Sequence, residues 1–429
     1  MKNIFESARL QALKSLVRCQ KEKRYVNLEI NAVLGSNVLN EQDKNLYTAL
    51  VYGVTEKESL LDYIISPYVS RKYETLDVEV LTALRLGALQ LFFFDNIPSH
   101  SACDEMVECV KNTRCRSASG FVNGVLRSIL REKQKVEERI QNAPDSVKYS
   151  MPEWIIDLWR KSYGEEKTLE ILKGFDKIPP LVLHTNTLKT TPESLLEKIK
   201  ASGYRAEIHP LFSHLIRVWD CGGAEKLYGF DTGLFFVQGT AAALAVKELE
   251  ICKGAKVFDV CACPGGKSFA AALHMENTGA IYSFDIHKSK IPLIDKGAQR
   301  LGIDIIKTDV HDAREVFSDT ADFIIADVPC SGLGVISKKP DIRKKKKEDI
   351  ERLPEIQYSI LENCAKSVKR GGAVLYSTCT LNRLENEEVT EKFLRENSEF
   401  SRKSGFPKTF FPDNNVEDGF FVDILVKDF

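Results

Sequence analysis

The segment from Val257 to Ser268 constrains the fold of this chain more than any other part. It reads Val-Phe-Asp-Val-Cys-Ala-Cys-Pro-Gly-Gly-Lys-Ser, which predicts an apolar strand running into a tight loop with paired glycines. An Ala-rich helix follows from Phe269 to Leu273. In open α/β sheets a ligand sits where such a strand gives way to its helix. Backbone N–H groups at the helix start suit an anionic or polar group, so the segment predicts a ligand-binding site.

The loop differs from two common phosphate-binding patterns. It lacks Gly-x-Gly-x-x-Gly, and it is not a P-loop, because a P-loop needs four residues between its first glycine and the Gly-Lys pair. Taken alone, the loop is also compatible with an ordinary tight turn.

Three later segments repeat the pattern of an apolar strand with polar or reactive residues at its end. Ile281–Asp285 ends in an acid about 20 residues after the loop, where a Rossmann-like domain holds ribose hydroxyls. Phe323–Cys330 ends in Asp327 and Cys330, and Ala373–Cys379 ends in a second cysteine. Helix-length stretches separate these strands. The pattern predicts an α/β sheet with a nucleotide-type cofactor and a two-cysteine site along one edge.

The motifs Cys-Ala-Cys-Pro-Gly-Gly-Lys, Asp-Val-Pro-Cys-Ser-Gly and Ser-Thr-Cys-Thr occur in that order. In this the chain resembles the S-adenosylmethionine-dependent RNA cytosine-5 methyltransferases. In that family the cysteine after threonine is the nucleophile, whereas DNA cytosine-5 methyltransferases use the cysteine after proline. The resemblance implies that Cys379 attacks the base, that Cys330 assists, and that S-adenosylmethionine is the methyl donor.

Two thiols suit this chemistry. Carbon 5 of cytosine is a poor nucleophile, and a thiolate that adds to carbon 6 makes it enamine-like and able to take a methyl group from a sulfonium. A base must then remove the carbon-5 hydrogen before the thiol leaves, and Cys330 is the candidate, directly or through water. The alternatives are a buried structural thiol for Cys379 and simple packing beside Pro329 for Cys330.

Charged residues along the same edge have candidate roles. Asp327 either hydrogen-bonds the cytosine, where partial desolvation would keep it protonated for donation, or contacts the cofactor, or is a turn or N-cap acid. Lys267 orients Asp327, polarises the base, or is a solvated first-turn lysine. Asp285 is expected to bind the ribose hydroxyls and Asp312 the adenine amino group. Asp309 competes for the adenine role, and both Asp309 and Asp312 could be plain loop acids.

The predicted site comprises two sets of residues. The catalytic set is Cys379, Cys330, Asp327 and Lys267. The cofactor set is Cys261, Ala262, Cys263, Pro264, Gly265, Gly266, Lys267, Asp285, Asp312 and Asp327. In the family, alanine is usual where Cys263 stands and threonine where Ser268 stands. Both replacements are small, and we expect the extra thiol of Cys263 to make the protein sensitive to oxidation.

Composition limits the function classes. A length of 429 residues predicts two to three domains, and a net charge of −1 means that any RNA-binding surface must be local. The 11 cysteines form no Cys-x-x-Cys pair, so we expect no metal site. The apolar runs are too short for a membrane span, and no signal peptide is visible. We therefore expect a reduced, cytoplasmic protein with no membrane partner, acting as a monomer.

Residues 1–140 are predicted to form a helical bundle, because apolar residues recur at three- and four-residue spacing. The segments Leu50–Val54, Leu84–Ala88, Ile97–Ala102 and Gly120–Arg127 resemble the NusB-type domain. That RNA-binding domain precedes the catalytic domain in the 16S rRNA methyltransferase B group. The resemblance therefore implies 16S rRNA as the partner, and within it the cytosine at position 967.

Residues 145–235 are predicted to form a small α+β subdomain for RNA recognition, with strands at Leu181–Asn186 and Leu215–Val218 and a helix at Glu193–Ala201. Family members usually carry a basic residue where His184 stands. Residues 236–429 are predicted to form the Rossmann-like α/β catalytic domain, which closes with a strand in the segment Asp418–Val422. The predicted fold class is therefore a multidomain chain with an all-α, an α+β and an α/β part.

The run Arg343–Lys347 holds five consecutive cations. Such a run is usually a solvated face. Its position beyond Asp327 and Cys330 also suits contacts with RNA phosphates, which give affinity without sequence readout.

Three other functions compete with this interpretation. A cytosine-5 methyltransferase of tRNA or of another rRNA position is one, although the helical front argues against it. A non-catalytic RNA-binding or antitermination factor is the second, but binding alone needs neither Cys330 nor Cys379. An exocyclic-amino methyltransferase is the third. Such an enzyme requires an Asn/Asp-Pro-Pro-Tyr-type loop, and the segment Asp327–Cys330 does not have that sequence.

Overall fold

The computed structural model describes residues 7–36, 38–69 and 73–428. It divides into two compact units. The first comprises Met1–Asp157 and Lys338–Lys345, and the second comprises Leu158–Ser337 and Lys346–Phe429. The ends of the predicted domains, Met1 and Phe429, lie outside the described residues. The predicted boundaries between domains stay predictions.

The first unit is helical, as predicted. Its helices are α1 (Ala8–Glu22), α2 (Val26–Gly35), α3 (Glu41–Glu56), α4 (Glu58–Ile65), α5 (Val78–Phe93), α6 (Ser99–Lys111), α7 (Ser119–Arg131), α8 (Lys133–Gln141) and α9 (Asp145–Lys148). Helix α10 (Glu153–Phe175) contains the position where the first unit gives way to the second. Gly164, with φ 81°, divides α10 into two helical parts.

Helix α7 illustrates why these segments fold as a bundle. It buries Val122, Val125, Leu126 and Ile129, and this three- and four-residue spacing produces one apolar face. That face packs closely on α5, because a Cβ atom at Gly87 would lie 2.6 Å from Leu126. A glycine is therefore required where the two helices meet.

The second unit contains two sheets. The smaller is an antiparallel sheet in the order β2-β3-β1-β4. Its strands are β1 (Leu181–Thr185), β2 (Arg205–Ile208), β3 (Leu215–Trp219) and β4 (Phe235–Val237), and α11 (Pro192–Ala201) connects β1 to β2. Helix α11 buries Leu195 and Ile199 in one cluster with Leu183, Ile216 and Val218 of the sheet. The predicted strand–helix–strand alternation of this region is confirmed.

The larger sheet has eight strands, in the order β10-β12-β9-β8-β5-β6-β7, with β11 paired to β12. The five strands from β9 to β7 are parallel, whereas β12 pairs antiparallel with β9. The strands are β5 (Lys256–Asp259), β6 (Ala280–Asp285), β7 (Ile306–Val310), β8 (Ala321–Asp327), β9 (Val368–Thr378), β10 (Phe400–Arg402), β11 (Lys408–Phe410) and β12 (Phe420–Lys427). Helix α12 (Thr240–Glu248) precedes β5, and the helices between the strands are α13 (Gly266–His274), α14 (Ile291–Leu301), α15 (Leu353–Ser367) and α16 (Glu387–Glu396).

Successive side chains of the central strands enter two different cores. In β5, Val257 packs with α12, α13 and α14, whereas Phe258 packs with α15 and α16. Ile325 and Ile324 of β8 divide in the same way. This alternation is that of a strand buried on both faces, so the sheet is the middle layer of an α/β domain. Among the described residues, no helix is both long enough and apolar enough to cross a membrane.

Candidate active site

The predicted site residues lie at the carboxyl edge of the parallel strands, together with Asp259, which was not predicted. Asp285 ends β6, Asp259 ends β5, Asp327 ends β8, and Cys379 directly follows β9. These strands are neighbours in the sheet. The chain moves from β5 to one side for β6 and β7 and to the other side for β8 and β9, and ligands bind at such a reversal point.

The glycine loop connects β5 to α13 through its own backbone. Ala262 N–H donates to the Phe284 carbonyl (2.8 Å), and Gly265 N–H donates to the Ala262 carbonyl (2.7 Å). Gly265 has φ 108°, and a Cβ atom there would lie 2.5 Å from the Phe269 ring, so only glycine fits. Helix α13 begins at Gly266 without a side-chain cap. Its first N–H groups are therefore suited to an anionic group of a ligand.

Asp259 was not among the predicted site residues. It is fully buried and accepts a hydrogen bond from Ser268 Oγ (2.6 Å), which also lies 2.7 Å from Ser283 Oγ. Burial raises its pKa from 3.8 to about 7. Its second oxygen, Oδ1, is buried without a hydrogen-bond partner. The available sequence signal was an acid inside an apolar strand, directly before the glycine loop.

The three acids proposed for the ribose and adenine occupy different positions. Asp285 is buried and accepts from His287 N–H (2.9 Å). Asp312 lies just after β7, and Arg314 binds both of its carboxylate oxygens. The hydrogen bond with Arg314 is the largest influence on the Asp312 pKa and lowers it. Asp309 is exposed within β7, where it pairs with Phe284, so it is a strand residue rather than a loop acid.

Lys267 and Asp327 form an ion pair, with 2.5 Å between Nζ and Oδ2. The Lys267 side chain is only 11% exposed, and Nζ lies 5.3 Å from the centre of the Phe420 ring. It is therefore not a solvated first-turn lysine. The other oxygen of Asp327 accepts from Ser377 Oγ (2.9 Å). Both contacts fix the direction of a carboxylate that is 33% exposed.

The two predicted reactive thiols meet. The sulfur atoms of Cys330 and Cys379 lie 3.2 Å apart, and both residues are partly exposed. The hydrogen bond with Cys379 and then burial raise the pKa of Cys330 well above its usual value. The raised pKa favours the protonated form of Cys330, whose S–H can donate to the Cys379 sulfur.

The cysteines of the glycine loop differ from this pair. Burial raises the pKa of Cys261 well above its usual value and also raises that of Cys263. Cys263 Sγ lies 3.7 Å from the Lys290 carbonyl. Oxidation proceeds through the thiolate, so the raised pKa argues against the oxidation sensitivity that the sequence suggested for Cys263.

A polar network behind the thiols was not predicted. Glu385 is fully buried and accepts hydrogen bonds from Ser331, Gln357 and Asn382. The sequence signal was weak, because Glu385 is one of three glutamates in the four-residue run Glu385–Glu388 and nothing in that run marks it as buried.

His184 lies in the core of the second unit. It stacks on Phe236 (4.8 Å between ring centres) and its Nδ1 donates to Gln238 Oε1 (2.7 Å). Gln238 in turn donates to the Gly266 carbonyl (3.0 Å). Burial lowers the His184 pKa from 6.5 to about 4. A buried neutral ring offers no cation to RNA, so His184 instead links the small sheet to the start of α13.

The cationic run is divided between the two units. Arg343–Lys345 belongs to the first and Lys346 and Lys347 to the second. Lys344 Nζ lies 3.5 Å from Glu58, so this lysine is not part of a purely solvated face. Contacts of the run with phosphate stay a prediction.

Comparisons with known proteins match most of the chain. Family models match for the 16S rRNA methyltransferase RsmB/F family at residues 244–426, the NusB family at 6–131 and the RsmF/B-like ferredoxin-like domain at 151–220. The probable ribosomal RNA small subunit methyltransferase B of Bacillus subtilis is 37% identical over 92% of this chain and 89% of its own length. The protein of the same description from Synechocystis is 30% identical over 98% of this chain and 99% of its own length.

Solved structures support the fold. The crystal structure of PH0851 has a TM-score of 0.79 at 24% identity and covers 97% of this chain and 99% of its own. NSun6 from Pyrococcus horikoshii, solved with SFG, has a TM-score of 0.59 at 21% identity and covers 64% of this chain and 98% of its own. At these identities the likeness concerns the fold alone.

Proposed function

Because the chain belongs to the 16S rRNA methyltransferase RsmB/F family, we propose that it methylates carbon 5 of a cytosine in 16S rRNA, with S-adenosylmethionine as the methyl donor. The observation that carries this proposal is the pair Cys330 and Cys379, with sulfur atoms 3.2 Å apart at the ends of neighbouring strands. Addition of a thiolate to a pyrimidine and release of the product call for two groups of this kind.

The residues of the glycine loop fit S-adenosylmethionine. The uncapped start of α13 suits the carboxylate of the methionine part. Asp285 lies at the end of β6, a position that suits hydrogen bonds to the ribose hydroxyls. The buried, unpartnered Oδ1 of Asp259 suits an ammonium group. NSun6, which shares this fold, was solved with SFG, an analogue of S-adenosylmethionine. When bound, the cofactor supplies the methyl group.

The thiols and the ion pair divide the remaining chemistry. The Cys379 thiolate forms a bond to carbon 6 of the cytosine, and the Asp327 carboxylate, oriented by Lys267 and Ser377, accepts a hydrogen bond from the amino group of the base. After methylation, Cys330 takes the hydrogen from carbon 5, and the bond between Cys379 and carbon 6 breaks. This returns the electron pair to Cys379 as thiolate.

The coupling of the two thiols sets the order of these steps. The hydrogen bond to Cys379 is the largest cause of the raised pKa of Cys330. Once the Cys379 sulfur is bonded to carbon 6 it is an uncharged thioether and a weaker acceptor. The pKa of Cys330 is then lowered, which favours loss of its proton to solvent and action as a base after the adduct has formed.

The helical first unit and the small antiparallel sheet are proposed to select the RNA. The family models that match these regions are NusB and the ferredoxin-like domain. We propose that the reaction takes place in the cytoplasm, where the ribosomal RNA is located.

Bisulfite sequencing of 16S rRNA tests the proposal. Cells with and without this gene are compared, and the deletion strain is complemented with the wild-type chain or with Cys379→Ala. We expect protection of the cytosine at position 967 with the wild-type chain only. Protection of a different cytosine, in 16S rRNA or in tRNA, would redirect the substrate assignment, and no gene-dependent protection at all would refute the activity.

A further inference from the structure

A buried carboxylate, Glu385, lies between the two loops that carry the reactive thiols. Its Oε2 accepts from the backbone N–H of Ser331 (2.8 Å), the residue directly after Cys330. Its Oε1 accepts from Asn382 Nδ2 (2.9 Å), three residues after Cys379. One side chain therefore holds both loops.

Further contacts reinforce this connection. Gln357 Nε2 donates to Glu385 Oε2 (3.0 Å) and to the Pro329 carbonyl (2.9 Å). The Tyr376 hydroxyl donates to the Glu385 backbone carbonyl (2.5 Å). Ser331 and Thr380 also join the two loops through their hydroxyl groups, which lie 2.7 Å apart. Residues on both sides of Cys330 and on both sides of Cys379 are thereby connected to Glu385.

The negative charge of Glu385 affects the two loops as well as its hydrogen bonds do. A buried carboxylate is costly unless several donors satisfy it, and here three N–H donors converge on it in charge-assisted hydrogen bonds. After the hydrogen bond with Cys379, burial and the charge of Cys379, the negative charge of Glu385 also raises the pKa of Cys330. The carboxylate thus favours the protonated form of Cys330.

We propose that Glu385 is a positioning residue, which holds the Cys330 and Cys379 loops at the separation that lets both thiols act on one base and places its own carboxylate beside the Cys330 loop. The inference rests on the proposed cytosine-5 methylation. The hydrogen bonds of the Glu385 carboxylate go to Ser331, Gln357 and Asn382 rather than to a reacting atom, so Glu385 is not itself a catalytic residue.

The substitution Glu385→Gln tests the proposal. It keeps the size of the side chain, but its amide group turns an N–H donor toward groups that are themselves donors. We expect kcat for methyl transfer to fall on the order of 100-fold, as for a small misplacement of reacting groups. KM for S-adenosylmethionine should stay unchanged, because the glycine loop makes none of these contacts. Glu388→Gln, an exposed glutamate in α16, is the matched control and should match the wild type in both parameters.

A second measurement separates positioning from a general loss of structure. In a Cys379→Ala background, the rate of alkylation of Cys330 by iodoacetamide is followed against pH, with and without Glu385→Gln. Removing the negative charge of Glu385 should move the midpoint of the alkylation rate against pH to a lower pH. A site that is loosened but keeps this charge would show no such shift. A midpoint that does not move, or wild-type kcat in Glu385→Gln, overturns the proposal.

If Glu385→Gln does not fold, Gln357→Leu takes its place. It removes the donor that connects Glu385 to the Pro329 carbonyl, and a folded variant with wild-type kcat would overturn the inference. The alkylation experiment needs no RNA. If the wild-type protein produces no 5-methylcytosine, the proposed function fails. The midpoint of Cys330 alkylation against pH still decides whether Glu385 influences the protonation of Cys330.

Discussion

Replacing Asp259 with asparagine should remove a carboxyl group whose ionisation opposes folding of the second unit. Asp259 is fully buried and accepts from Ser268 Oγ, while its Oδ1 has no partner. Burial is the main cause of its raised pKa, which is about 7 against 3.8 for an ordinary aspartate. The hydrogen bond from Ser268 and the charge of Lys267 act in the opposite direction but do not cancel the cost of burial.

The sign of the pH dependence follows from the two pKa values. Because the folded-state pKa is the higher one, the folded protein holds more protons than the unfolded chain between about pH 4 and pH 7. The stabilising contribution is fully present below the unfolded pKa of 3.8 and is lost as pH rises through about 7. A separation of about 3 between the pKa values corresponds to about 4 kcal/mol, roughly half of it lost by pH 5.5.

Asparagine at this position does not titrate but can still accept from Ser268. The difference in unfolding free energy between the wild type and Asp259→Asn should therefore change by up to about 4 kcal/mol between pH 4 and pH 8, in favour of the variant at high pH. Hydrogen exchange by mass spectrometry over residues 256–285 reports the opening of this region. Asp304→Asn, at an exposed position, is the control. A difference that stays constant across this pH range would refute the argument from burial.

Three further predictions concern the proposed site. Asp285→Ala should weaken S-adenosylmethionine binding by about 1–3 kcal/mol, the cost of a lost hydrogen bond, and unchanged affinity by calorimetry would remove Asp285 from the cofactor site. Gly265→Ala should lower stability by about 1–3 kcal/mol and lower the melting temperature more than Gly254→Ala, which has a positive φ but open space around it. Cys379→Ala should abolish methylation and the covalent RNA adduct, whereas Cys330→Ala should accumulate the adduct on a denaturing gel; the opposite pattern would make Cys330 the nucleophile.

Strands that carry the site were predictable because they are buried on both faces. Val257, Ile324 and Val374 belong to continuous apolar runs, and each run ends at a polar or reactive residue. Strand β7 was missed for the opposite reason. It lies at the edge of the sheet and reads Ile-Lys-Thr-Asp-Val, so its exposed positions interrupt the apolar run. Asp309 was consequently interpreted as a candidate loop acid, although it is a residue of this strand.

The polar network around Glu385 could not be predicted from local pattern. Its donors Ser331 and Gln357 lie 54 and 28 positions away, and their meeting depends on how β8, α15 and β9 pack. The cationic run shows the same limit. Asp341, beside that run, accepts from the backbone N–H of Val26, 315 positions away. Periodicity and charge counts describe one segment at a time, whereas such contacts are a property of the folded chain.

The surroundings of the two thiols bear on which of them is the nucleophile, independently of motif order. Two sulfur atoms 3.2 Å apart titrate as a coupled pair, so the groups around each of them influence which one is protonated. After the coupling to Cys379 and burial, the carboxylates of Glu385 and Asp327 both raise the pKa of Cys330. These negative charges favour the protonated form of Cys330 and so weaken it as a nucleophile. The surroundings of Cys330 therefore argue against it as the attacking thiol, in agreement with the resemblance of the Thr-Cys motif at Cys379 to the RNA enzymes.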